Sequence, residues 1–471
     1  MNDSLTFRPS LLRHGLLRNP ASGWMLYDDA DKEVARADAY WEAMDEAARS
    51  HASIFYLRWR WAEAEPEEGR YAWKYDKNFQ ALIQGALDRG LRLAFRFYIA
   101  SRDNSAQATP DYVRRAGAEG CMQKGADDTP LWSPYVDDPV FQEKFSAFVA
   151  AFAEEFDDPA RVDFIDALGL GWWGEGHHIN LKNPDNALPV YRWILDTYAT
   201  RFHHTLLGIQ YGTAFGWETD EEWAIRGEDY VVRRDGLGSF WFSDQERERV
   251  LDLYPRHPLF GERCYWGLVT HSVEQAKKDD TRFGHRFETW RDLDQVAVED
   301  ALAYHANTFD LRTIPDVKRF MTYPEVIEDF KSRGGYRLAP LDVSLEKPLQ
   351  PGESTILKHT WTNLGVGVLP NHNRRWNHKY RPAFALIPEG ADDPGDLVWI
   401  DDQAEPGDWL TDETHAHSFA FNLPDTLPPG PYRLCCAVLN TLDDGMPHLR
   451  LSTRTDRHGP WHVLDEVQVG G

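Results

Sequence analysis

The chain of 471 residues is too long for one compact core, so two domains, or a large barrel with an appendage, are expected. Its 51 Lys and Arg against 76 Asp and Glu give a net charge of −25 spread along the chain, which excludes nucleic acid and an anionic membrane as the main partner. It contains no apolar run of the about 18 residues that a membrane helix needs, and its start, MNDSLTFRPSLLRHG, lacks the charged region and apolar core of a secretory signal, so a cytoplasmic location is expected.

Between residues 14 and 311 short β-rich runs alternate with longer amphipathic stretches, the pattern of parallel strands joined by helices. The predicted strands, in chain order, are 14–25, 53–61, 91–100, 162–175, 204–213, 230–242, 258–266 and 303–311. After the second, YDKNFQALIQGALDRGL sets Phe79, Leu82, Ile83, Ala86 and Leu87 at helical spacing, with Gly90 as the stop. Before the fourth, DPVFQEKFSAFVAAFAEEFDD repeats the pattern through Phe141, Phe145, Phe148, Val149 and Phe152, started by Asp137 or Asp138 and Pro139. Eight such units in roughly 300 residues fit an α/β fold of the (β/α)8 TIM-barrel type, whose functional groups belong at the C-terminal strand ends.

The pair Gly334-Gly335 breaks this pattern. Beyond it LDVSLEKPLQPGESTILKHTWTNLG, RPAFALIPEG, LVWIDDQ, HSFAFNLPDTLPPGPYRLCCAVLN and LRLSTRT are short alternating runs between Pro and Gly turns, as in a C-terminal antiparallel β-sandwich. The expected domains are therefore 1–335 and 336–471, and the sandwich leaves a homo-oligomer open. Cys121, Cys264, Cys435 and Cys436 have neither CxxC nor disulfide-framework spacing, and fit reduced thiols.

Two predicted strands end in an acid preceded by glycine: Glu175 in GLGWWGEGHH and Glu262 in PLFGERCYW. Two carboxylates facing across a barrel mouth are what glycoside hydrolysis needs, one protonating the leaving oxygen while the ionised partner attacks or stabilises the sugar. On this reading Trp172 and Trp173 exclude water, the glycines let substrate approach, and Glu175 carries the proton. The chain has 19 Trp, a residue that fills cores and stacks on sugar rings.

The segment WAEAEPEEGRYAWKYDKNFQALIQGALDRGLRLAFRF resembles the second-to-third-strand region of clan-A glycoside hydrolases, including their β-galactosidase branch. YVDDPVFQEKF, GLGWWGEGHH, YHANTF and the GGYRL junction resemble bacterial domains of unknown function that pair such a barrel with a β-sandwich. The clan resemblance implies a retaining mechanism with Glu175 as acid/base and Glu262 as nucleophile, on a β-linked, galactosidase- or glucosidase-like substrate. In that clan an Asn that contacts the sugar 2-hydroxyl precedes the acid/base; here the residue is Gly174, and His177, His178, Asn180 or Tyr211 stand near enough in sequence to replace it.

Arg58, Arg60, Arg96 and Arg102 cluster around the ends of strands two and three, where they would pair with Glu63, Glu65, Glu175 or Glu262, or bind the acid of a uronate or sulfated sugar. Asp235 is a turn residue or a hydroxyl ligand, Trp241 and Trp266 are stacking platforms where exposed, and Trp173 is counted among the substrate-binding residues. His177, His178 and His305 are expected to bond substrate or a catalytic Glu rather than a metal, since adjacent histidines on an extended segment point apart. Walker, GxGxxG and GxSxG boxes are absent, so neither cofactor nor metal is expected, only an oligosaccharide or glycoside partner. The acidic, tryptophan-rich mouth suits neutral sugars, while the arginines keep uronates open; the alternative to an enzyme is an inactive carbohydrate-binding barrel.

Overall fold

A computed structural model describes residues 5–28, 35–212, 223–266 and 271–470. The described chain divides into two compact units, one of Gly23–Phe330 with Asn373–Arg375, the other of the stretch up to Ser22, Lys331–His372 and Trp376 onward.

The first unit is a closed barrel of eight parallel strands: β1 (Gly23–Tyr27), β2 (Ala52–Arg60), β3 (Arg92–Tyr98), β4 (Val162–Asp166), β5 (Leu206–Gln210), β6 (Val231–Leu237), β7 (Leu259–Arg263) and β8 (Ala306–Leu311). Each pairs with its neighbours in sequence and β8 returns to β1, so every predicted strand has its counterpart. Two are much shorter than predicted: β1 starts at Gly23 rather than residue 14, and β4 stops at Asp166 rather than residue 175. The predicted end of the fifth strand, Thr213, lies outside the described residues.

The crossover helices bury the stripes read from their spacing. Lys77–Asp88 is capped by the Asp76 side chain and buries Phe79, Leu82 and Ala86. Pro139–Phe156 is capped by Asp138 and buries Phe141, Phe145, Phe148, Val149, Phe152 and Phe156. Phe148 meets Phe97 of β3 at 5.1 Å between ring centroids, edge to face, and Trp61 at 5.7 Å. A hairpin of Gly120–Lys124 and Pro130–Pro134, unforeseen in the sequence, sits in the loop after β3.

The second unit holds two antiparallel sheets. One orders the N-terminal strand Leu5–Phe7, β9 (Leu338–Leu345), β10 (Ser354–Asn363) and β13 (His415–Asn422); the other orders β12 (Val398–Ile400), β11 (Tyr380–Pro388), β14 (Gly430–Asn440), β16 (Trp461–Val469) and β15 (Arg457–His458). Between them Trp361 stacks on Trp409 at 5.0 Å, and buried His359 bonds Asp401 at 2.9 Å. The expected boundaries change at both ends. Residues 5–22 join this unit, because Leu5–Phe7 pairs with β9 and the Asn19 amide exchanges bonds with the Arg450 backbone; the unit resumes at Lys331 rather than Tyr336. The run 449–455 forms only an isolated bridge at Thr453, whereas β16 was not anticipated.

Phe148→Ala removes a ring with no exposure from this cluster and is expected to cost about 3–5 kcal/mol in urea unfolding. A loss below about 1 kcal/mol would contradict the packing.

Candidate active site

Side chains alternate across a strand, so every second residue of a barrel strand faces the lumen. Tyr56, Phe164 and Phe260 form an aromatic layer there, with centroids 5.7 Å apart for Tyr56 and Phe164 and 4.9 Å for Phe164 and Phe260. Two residues further along the same strands stand Arg58, Asp166 and Glu262, joined by Arg96 from β3 and Arg233 from β6. The floor is aromatic and the mouth above it is ionic.

Arg96 organises this mouth. Its guanidinium donates through Nε to Asp166 Oδ2 at 2.7 Å, through Nη1 to Glu175 Oε1, and through Nη2 to Glu262 Oε1 at 3.1 Å. Arg233 lies 2.9 Å from Asp166 Oδ1, donates to Glu262, and fixes itself to the Phe260 carbonyl at 2.9 Å. Arg312, just past β8, donates to Glu262 Oε2 at 2.5 Å and to Asp310 at 3.1 Å. Glu262 thus accepts from three guanidinium groups, and Glu175 shares one of them. Burial alone would raise the Asp166 carboxyl, but Arg233 and Arg96 hold it below the ordinary carboxylate range, helped by the Tyr56 hydroxyl.

Glu262 sits on β7 as expected, whereas Glu175 does not end β4. It is carried nine positions beyond Asp166 by a loop in which Gly169, Gly171, Trp173, Gly174, Gly176 and His178 all have positive φ. The loop folds back on itself: the Trp172 N–H donates to the His177 carbonyl at 2.7 Å, the Gly176 N–H to Leu170 at 2.9 Å, and the Trp173 N–H to Ala100 at 2.9 Å. Trp173 at φ +58° and His178 at +51° are held in a conformation that side chains disfavour. The missing Asn has a physical cause, because at Gly174 φ is +73° and a Cβ would stand 2.9 Å from the Phe97 carbonyl oxygen.

The other candidates divide. Asp235 accepts from Arg234 and, at 2.8 Å, from Gln210. Burial opposes its ionisation, but Arg234, then His177, Arg312 and Arg96, hold its carboxyl below the usual range. His177 Nε2 is 3.9 Å from Glu175, and Tyr211 follows β5 at the same face with its N–H on the Arg233 carbonyl at 2.7 Å. Trp266 lies beneath the Arg312 guanidinium at 4.7 Å, while Trp241 is 62% exposed on the loop after β6. Trp173 donates to Asp103 at 2.9 Å and lies under Arg102, while His178 stacks on Trp172 at 3.6 Å. His305 is a correction. It precedes β8, so parallel strand direction places it at the N-terminal end of the barrel, stacked on Tyr254 at 4.0 Å.

Two of the four arginines pair as expected, Arg60 with Glu63 and Arg96 with Glu175 and Glu262, whereas Arg102 approaches Asp103 at 3.6 Å and Arg58 takes no carboxylate among the described residues. Glu65 accepts instead from Trp61 Nε1 at 2.9 Å, the Tyr112 hydroxyl at 2.7 Å and the Gly69 N–H at 2.8 Å, and burial raises its carboxyl. Its Glu-Pro box ties down the loop after β2. Sequence reasoning missed Asp166, Arg233, Arg312, Tyr27 and Tyr56; for Asp166 and Arg233 the usable signal was a charged residue inside an otherwise apolar strand. Among the described residues, only His372, His378 and Glu405, in the second unit, have ligand atoms within 4.8 Å, and Arg381 already lies 3.2 Å from that carboxylate. Among the described residues no helix is long and apolar enough to cross a membrane.

Fold and site together define a (β/α)8 barrel that holds two glutamates on one buried arginine at its C-terminal mouth. No family model and no curated protein matches the chain. Among solved structures it is similar to the exo-β-1,4-mannosidase Op5Man5 from Opitutaceae bacterium strain TAV5, at 15% identity over 68% of this chain and a TM-score of 0.39; the chain spans 57% of that protein's length. Endo-glycoceramidase II from Rhodococcus sp. is 10% identical, covering 87% of this chain and 99% of its own, at a TM-score of 0.41. GH5_18 from Streptomyces cattleya is 13% identical, covering 63% and 70%, at a TM-score of 0.39.

Two outcomes follow for the mouth. Gly174→Asn, although it supplies the residue of the resembling clan, is expected to cost about 1–3 kcal/mol of stability, measured by urea unfolding; a neutral change would refute the steric account. Asp166 has a lowered native pKa, so its contribution is complete above the unfolded value near 3.9 and is lost as pH falls from there through the native value. Asp166→Asn should therefore cost about 3–5 kcal/mol at pH 7 and flatten the stability-versus-pH curve below about pH 4. An unchanged acid limb would contradict this.

Proposed function

We propose that the protein is a retaining glycoside hydrolase acting on a β-linked glycoside or oligosaccharide. The observation that carries this reading is the sharing of Arg96 between Glu175 and Glu262, which brings both carboxylates to one point of the lumen. Retention needs carboxyl groups about 5–5.5 Å apart, and one guanidinium bridging two carboxylates is compatible with that spacing.

In this mechanism a Glu262 oxygen attacks the anomeric carbon as the glycosidic C–O bond breaks, and Glu175 gives its proton to the departing oxygen. Glu175, now a carboxylate, takes a proton from water; the hydroxide oxygen bonds to the anomeric carbon, and the ester to Glu262 breaks. Arg233 and Arg312, which donate to Glu262, orient its carboxylate for attack and stabilise it as it leaves. A second reading, favoured by Gly174 in place of the 2-hydroxyl contact, is a barrel that binds sugar without cleaving it.

A panel of nitrophenyl α- and β-glycosides separates these readings. Turnover by the unaltered protein is expected on a β-glycoside, with kcat falling about 10²–10⁴-fold in Glu175→Gln and in Glu262→Gln, and with the β-anomer as first product by NMR. Activity surviving both changes would refute the site, and binding without turnover would establish the second reading.

A further inference from the structure

We propose that Arg58 is the recognition residue for a carboxylate on the substrate, so that the glycosides taken by this mouth carry a uronic acid. The proposal rests on the hydrolase reading above and adds the substrate class to it.

Arg58 is 8% exposed, and among the described residues its guanidinium has no hydrogen-bond acceptor and no ion-pair partner; its Nε is fully enclosed. Its guanidinium lies 5.5 Å from the centre of the Tyr27 ring. Arg96 and Arg233 are compensated by Asp166 and Glu262, Arg263 by Asp294 and Asp316, and Arg247 by Asp300, while Arg375 instead donates to the Phe202 and Glu228 carbonyls at 3.2 and 3.1 Å. A guanidinium so far out of water, with no acid among the described residues to offset it, is costly to fold, and a partner that arrives from solution would compensate it.

The place and the companions of Arg58 say what that partner is. In the β2–β3 ladder Arg58 stands opposite Arg96, one strand spacing of about 4.8 Å from the residue that holds both glutamates. A charge there addresses a substituent of the sugar being cleaved rather than a distant part of a chain. The Tyr27 hydroxyl, on β1, is likewise buried without a partner among the described residues, and its ring lies between Arg58 and Arg312, the latter at 4.8 Å. A guanidinium, which only donates, and a phenol, which can donate beside it, form a corner that a carboxylate satisfies. A sugar hydroxyl would fill the hydrogen bond but leave the positive charge uncompensated.

The test compares the unaltered protein with Arg58→Met. In the first, kcat/KM for nitrophenyl β-glucuronide or β-galacturonide is expected to exceed that of the matching glucoside or galactoside by about 10²-fold, and in the variant that ratio should collapse by about 10²-fold. Arg58→Met should melt no lower than the parent, since it removes an uncompensated charge. By calorimetry D-glucuronate should bind the parent in preference to D-glucose, and the variant should lose that preference. A lowered melting temperature, an unchanged ratio, or a preference for a galactoside 6-sulfate over the uronides would overturn the proposal. Arg58-dependent glucuronate binding without cleavage of any glycoside would uphold this subsite and refute the hydrolase reading; cleavage of neutral glycosides with no glucuronate binding would do the reverse.

Discussion

Everything at the mouth of this barrel depends on one guanidinium taken out of water. Arg96, 1% exposed, meets Asp166, Glu175 and Glu262 at once, so the position of each acid is set by the other two. Buried ion networks of this kind are seldom a source of stability, because hydrophobic residues of the same volume do as well or better. What the network supplies is orientation: Glu262 cannot leave its three arginines without exposing uncompensated charge, and Glu175 cannot swing away without abandoning Arg96. The stability comes from outside the strands, where Phe97, Phe145, Phe148 and Phe152 interlock around the helix Pro139–Phe156.

The loop that delivers Glu175 obeys the same demand. An acid fixed on Arg96 must enter the lumen from above, whereas β4 has already spent its inward position on Asp166. The chain therefore leaves the strand, reverses through left-handed residues, and returns. Gly171 shows the tightness of that reversal, since a Cβ there would lie 2.3 Å from the His177 carbonyl oxygen. The conformation that aims Glu175 is the same one that forbids a side chain at position 174. An Asn beside the acid would strain this particular loop.

The barrel was legible because its signals are local. Helical spacing of Phe residues, Asp caps and Gly stops identify the crossovers, and apolar runs identify the strands. Glu262 was legible for the same reason, standing in a short strand of fixed phase. Glu175 could be singled out, but its path could not, because clustered glycines permit both a frayed strand end and a returning loop. Long-range pairing was least visible. Nothing local in residues 5–22 announces that they belong with β9 and Arg450, and nothing near Arg58 shows that the acids around it are engaged elsewhere. His305 was misplaced by one strand length, since an aromatic next to a strand is at the functional face only if it follows that strand.

The acidic composition and an arginine-bearing mouth are consistent once distance is considered. Exposed charges are screened within about 8 Å at physiological ionic strength, so a net charge of −25 acts on ligands that must touch much of the surface. A polyanion is such a ligand; a single carboxylate entering a narrow mouth is not. Within the mouth the dielectric is low and the nearest charges dominate. There Arg58 has no acid of its own among the described residues, while Arg312 and Arg96 are divided among the carboxylates of Glu262, Asp310, Asp166 and Glu175. The surface charge therefore limits how many negative groups a ligand can bring, and the lumen determines where one of them is welcome.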